Sequence, residues 1–210
     1  MKKIIAFIAL AVFGINTQAQ QRVYIVSGYA HGHDDLYVTE TESGGLVYHI
    51  GFDNIKNPKD SVYIVLSKQE CKEFSGAIRE LEKILNKWTR KATAHNVTGY
   101  SRPVDVTMPA LTFEWREYIT DHWGYREFSE PKSMSGVIPS VTFIVDNYGH
   151  TWLQLEATLK HGDTNREFCS ILTRGGFMDN LLCRCNTKWV DAQYKKLKPK
   201  PNEYYDTIFE

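Results

Sequence analysis

The sequence predicts an α+β fold, with an antiparallel sheet, one long amphipathic helix packed across it and a C-terminal helical region. Three observations carry that expectation. Strand-like runs follow one another instead of alternating with helices. A single long stretch spaces its apolar residues by three and four, as one face of a helix requires. A second helical stretch comes only near the end, where Pro199 and Pro201 stop it. Strands in runs with segregated helices are the pattern of α+β chains.

Taken in order, Val23 to Ser27 is a short β-forming run. Leu36 to Thr41 and Leu46 to Ile50 flank Glu42-Ser43-Gly44-Gly45, a turn-rich link that predicts a hairpin. A loop over Asn57-Pro58-Lys59-Asp60 leads to a buried strand from Val62 to Leu66. Ser67, with Glu70 three residues on, forms a capping box and starts a helix from about Lys68 to Ala94. Its stripe is Cys71, Phe74, Ile78, Leu81, Leu85, Trp88 and Ala92. Glu70 and Glu73 near the start and Lys87, Arg90 and Lys91 near the end suit the helix dipole.

After Gly99 the strands resume. Leu111 to Ile119 sets Leu111, Phe113 and Trp115 against Thr112, Glu114 and Arg116. Val137 to Val145 is rich in β-branched residues and ends at the turn Asp146-Asn147-Tyr148-Gly149. Thr151 to Leu159 alternates as an antiparallel strand with one wet face would. Arg166 to Arg174 fits strand or helix, and Gly175-Gly176 breaks it. Asp179 to Leu197 reads as helical with an interruption near Asn186.

Residues 1–20 read as a secretory signal peptide. Lys2 and Lys3 precede an apolar run from Ile4 to Ile15, and Thr17-Gln18-Ala19 gives a small-x-small ending with cleavage after Ala19 or Gln20. The run falls short of the roughly 20 residues needed to span a bilayer. The expectation is a secreted or periplasmic protein in which 21–198 forms one α+β domain and 199–210 a tail. Removing Lys2 and Lys3 leaves 23 basic residues against 25 acidic, a net charge of −2. Without a basic excess the chain is expected to bind neither nucleic acid nor, strongly, a membrane surface. Aromatics make up 13% of the chain, but they are scattered and fit strand-rich structure as well as an interface.

Cys71, Cys169, Cys183 and Cys185 allow three full pairings. A bridge between Cys183 and Cys185 would be strained, so in a two-bridge arrangement Cys71 and Cys169 each take one of them. Free buried thiols are the other reading. A lone C-x-C gives little support to zinc.

The cluster with the most chemical content is His31-Gly32-His33-Asp34-Asp35. Two imidazoles two residues apart, beside carboxylates, can converge on a divalent metal such as zinc. The run resembles part of the H-x-H-x-D-H signature of the metallo-β-lactamase superfamily, with His31, His33 and Asp35 matching three positions. Leu36 stands where the fourth, a histidine, belongs, which removes a ligand that a two-metal site needs, so no membership follows. The plain reading is a polar loop bent at Gly32. His49, His95, His122, His150 and His161 could complete a site only through folding. There is no Gly-x-Ser-x-Gly elbow and no glycine-rich phosphate loop. Carboxylates at Glu114 and Glu117, or Asp34 and Asp35, suit a glycosidase only at a defined separation.

The expected function is therefore that of a non-enzymatic binding protein outside the cytoplasm, with a protein or small-molecule partner and no cofactor. The alternative is a metal-dependent hydrolase using His31, His33 and Asp35. A cup-shaped carrier is a further form of the first, and it requires an apolar pocket between Trp88, Phe113 and Leu155.

Overall fold

A computed structural model describes residues 22–25, 36–120, 124–175 and 177–198. The first half runs β1 (Val23–Ile25), β2 (Leu36–Glu40), β3 (Leu46–Phe52), β4 (Ser61–Leu66) and α1 (Lys68–Ala94). Then come β5 (Tyr100–Pro103), β6 (Leu111–Arg116), β7 (Tyr118–Thr120), β8 (Arg126–Phe128), β9 (Lys132–Val137) and β10 (Ser140–Val145). The chain continues through β11 (Thr151–His161), β12 (Thr164–Leu172), α2 (Phe177–Arg184) and α3 (Thr187–Leu197). The fold is α+β, with the long helix packed across antiparallel sheet and the shorter helices at the C-terminal end.

The strands form a six-stranded sheet in the order β1-β2-β3-β4-β6-β9 and a four-stranded sheet β12-β11-β10-β5, with β7 and β8 as a separate ribbon. Every pairing is antiparallel. The predicted β2–β3 hairpin closes through Thr41, whose backbone N–H donates to the Gly45 carbonyl at 2.8 Å. Gly44 takes a φ of +81° in that turn, which a residue without Cβ adopts at no steric cost.

Helix α1 starts and stops by local chemistry. The Glu70 N–H donates to Ser67 Oγ, and the Ser67 N–H donates to Glu70 Oε2 at 2.6 Å, so the box is reciprocal. At the other end the Asn96 N–H donates to the Thr93 carbonyl and the Val97 N–H to Ala92. Asn96 has a φ of +49°, and this crossed pair is the Schellman arrangement with asparagine in the left-handed position. No helix among the described residues is long and apolar enough to cross a membrane.

One continuous core lies between the sheets and the helices. Strand alternation sends Leu36, Val38, Tyr48, Ile50, Ile64 and Phe113 inward, where they join the α1 stripe. Phe168 of β12 meets Phe113 of β6 with ring centroids 5.1 Å apart and Phe52 of β3 at 6.0 Å, so the second sheet seals onto the first. Strands β9 and β11 also lie against each other, where the Lys160 N–H donates to Met134 Sδ. Helix α3 packs on β1, setting the last helix against the first strand.

Two expected strands divide. The run Leu111 to Ile119 breaks at Glu117, whose N–H donates to Ser129 Oγ instead of continuing a ladder. The run Val137 to Val145 breaks at Ile138-Pro139, since proline has no N–H to give a neighbouring strand.

Candidate functional site

A groove of about 710 Å³ lies between the first half of α1 and the α2–α3 junction. Lys68, Lys72, Ser75 and Arg79 recur every three or four residues and so share one side of α1. The opposite wall is Leu182 and Cys185, followed by Asn186, Thr187 and Lys188 at the start of α3. Asn186 caps that helix, its side chain accepting from the Trp189 N–H. Four cationic side chains thus surround the groove, and among the described residues no Asp, Glu or His lines it. The amino end of α3 adds its partial positive charge.

The groove is tied to the first sheet through Asp191. Tyr48 donates its hydroxyl to Asp191 Oδ1 at 2.5 Å, and Lys68 Nζ donates to Oδ2 at 2.9 Å. Burial opposes ionisation there, yet the Tyr48 hydroxyl and the Lys68 charge hold the Asp191 carboxyl below its ordinary range. Lys68 is therefore partly committed to the scaffold, while Lys72, Arg79 and Lys188 carry the groove's remaining charge.

A second cavity of about 280 Å³ lies under the C-terminal end of α1, with Trp88, His95, Arg102 and Phe143 in its wall. Trp88 and Phe143 pack edge to face at 5.3 Å, and the Arg102 guanidinium lies 5.2 Å from the Trp88 ring centre. Phe113 and Leu155 are wholly buried and line neither cavity.

A third polar cluster sits on the face of the six-stranded sheet away from the core. The order β2-β3-β4-β6 brings Tyr37, His49, Tyr63 and Glu114 together. Tyr37 stacks on His49 at 4.1 Å and donates its hydroxyl to Glu114 Oε1 at 3.1 Å. The Arg22 guanidinium lies 4.9 Å from the centre of the Tyr37 ring and 3.6 Å from Glu114. His49 Nε2 is 3.0 Å from Thr39 Oγ1, while Nδ1 is buried without a hydrogen bond, 3.7 Å from Glu114 Oε2. Burial first, and Arg22 second, pulls the imidazole down to a pKa of about 4, so the ring is neutral near pH 7.

His31, His33 and Asp35 lie outside the described residues, as do Asp34 and His122. Among the described histidines, His95 caps α1 and His150 pairs with Asp146 at 2.9 Å in the β10–β11 turn. His161 closes β11 with its ring edge-on to Trp115 at 6.3 Å. Glu117 pairs with Lys132 at 2.8 Å and Glu114 with Tyr37, so the two carboxylates serve different partners. Among the described residues no three His, Cys, Asp or Glu side chains are grouped to hold a metal ion. No family model, curated protein or solved structure matches the chain.

Sequence reasoning did not find the groove. Its one readable signal was the basic flank at 68, 72 and 79 beside the apolar stripe. The fourth cation, Lys188, joins them only through the packing of α2 on α1.

Proposed function

We propose that this chain is a non-enzymatic binding protein, working outside the cytoplasm, that holds an anionic ligand in the groove between α1 and the α2–α3 junction. The observation that carries the reading is the set Lys68, Lys72, Arg79 and Lys188 around a groove that no carboxylate lines among the described residues. Such a ring supplies charge-assisted hydrogen bonds to carboxylate or phosphate oxygens. With a near-neutral chain overall, the attraction is local to this face. The leader-like residues 1–20 support the setting.

Calorimetric titration at low salt with inorganic tripolyphosphate and, separately, with an oligoglutamate peptide tests the reading and distinguishes the two sources of negative charge. One of them binds, more weakly as salt rises. The double variant Lys72→Glu with Arg79→Glu lowers that affinity about tenfold or more, a loss of about 1.4 kcal/mol at the least. Absence of binding by both probes, or equal affinity in the double variant, rejects the groove as the site.

The second reading, a divalent-metal hydrolase on His31, His33 and Asp35, rests on their spacing in the sequence. It requires purified protein to carry zinc and to lose thermal stability when a chelator is added, since a ligand held only by the native state raises apparent stability. Metal-free protein with no response to added zinc removes it.

A further inference from the structure

Cys71 and Cys185 meet at the base of the groove. Cys71 faces the core from the first turns of α1 and is wholly buried, and Cys185, directly after α2, is 5% exposed. Both belong to one buried cluster where α1 packs on α2, Cys185 lines the groove together with Ser75, one helical turn beyond Cys71, and each thiol is the foremost influence on the other's ionisation. Both backbones are fixed. The Cys71 N–H donates to the Ser67 carbonyl at 2.9 Å, Ser75 Oγ donates to the Cys71 carbonyl at 2.6 Å, and the Cys185 N–H donates to Leu181 at 3.0 Å.

The other two cysteines are placed apart. Cys169 is buried in β12, where its N–H donates to Asn54 Oδ1 and where Glu156, Lys56 and Glu167 are its charged neighbours. Cys183 is exposed on α2.

We propose that Cys71 and Cys185 form a disulfide bond in the mature protein, pinning α1 to the α2–α3 junction, while Cys169 and Cys183 remain thiols. The chemistry has a direction. The hydrogen bond from Cys71 comes first among the influences that hold the Cys185 thiol below its ordinary value, with Ser75, Arg184 and Arg79 adding to it against burial. The same bond, and then burial, pushes the Cys71 thiol up. Cys185 lines the groove while Cys71 is sealed in the core, so Cys185 is the attacking thiolate. It displaces one sulfur of a small-molecule or protein disulfide, the oxidant class of extracytoplasmic compartments, and forms a mixed disulfide. Cys71 then gives up its proton and attacks the Cys185 sulfur, expelling the second half of the oxidant. Two protein thiols lose two electrons and two protons, and the oxidant's disulfide becomes two thiols.

The bond closes more than half of the chain into one loop, the case in which a cross-link most restricts the unfolded state. It does not depend on what the groove holds. Protein equilibrated with oxidised and reduced glutathione, denatured, alkylated and digested, yields a peptide pair joined through Cys71 and Cys185, with Cys169 and Cys183 alkylated. Adding reductant lowers the thermal midpoint by about 10 °C. The variant C169A/C183S keeps both the joined peptides and the drop, whereas C71A/C185A shows no response to reductant. Alkylation of Cys71 and Cys185 after oxidation, or a bridge joining any other pair, overturns the proposal. Tripolyphosphate and oligoglutamate titrations of the oxidised protein report on the groove separately, so failure of either claim leaves the other measurable.

Discussion

Burial keeps the His49 imidazole neutral down to about pH 4, and this has a consequence for stability. An unfolded chain takes up that proton as the pH falls through the ordinary value of 6.5, while the folded protein resists until about 4. Between those values the unfolded state binds more protons, so stability falls as the pH drops; above 6.5 the contribution is complete. The loss is on the order of 2–3 kcal/mol across the window. Replacing His49 with Gln flattens this part of the profile. Urea midpoints of the two proteins measured across the window decide the point, and parallel profiles would remove His49 as the cause. The alternation of β3 shows in the sequence that His49 faces away from Tyr48 and Ile50. Its burial there does not show, because Tyr37, Tyr63 and Glu114 arrive from three other strands.

Helix α1 was the most legible element, and its boundaries follow from the reciprocal bonds of Ser67 and Glu70. Ser67→Ala leaves the Glu70 N–H without its acceptor and costs about 1 kcal/mol, lowering the thermal midpoint by roughly 2–4 °C. Ser67→Asp restores most of that loss; a midpoint unchanged in Ser67→Ala would show that the cap is dispensable. The helical pair at the C-terminal end was also readable, since Asn186 interrupts one helix and caps the next. Strand β5 left no signal because Tyr100–Pro103 is exposed along its length and shows no alternation. Strand β9 was obscured for a related reason: Gly136, at a φ of +75°, and a register shift against β6 interrupt its pattern.

The division into two sheets was not legible, because it depends on contacts between residues far apart in the chain. Phe168 is the clearest of these, set between the rings of Phe52 and Phe113. Phe168→Ala empties that junction and destabilises the protein by about 3–5 kcal/mol, read as a lower urea midpoint. A loss below about 1 kcal/mol would mean that the two sheets are joined mainly elsewhere. The candidate groove belongs to this same class of distant contacts, which explains why only one of its walls could be anticipated.

The placement of α3 over β1, reinforced where Tyr194 and Lys198 reach Glu40, also sets a timetable for assembly. Strand β1 cannot gain its cover until α3, more than 150 residues further along the chain, has been synthesised. A nascent chain therefore carries β1 without its cover until α3 has emerged as well.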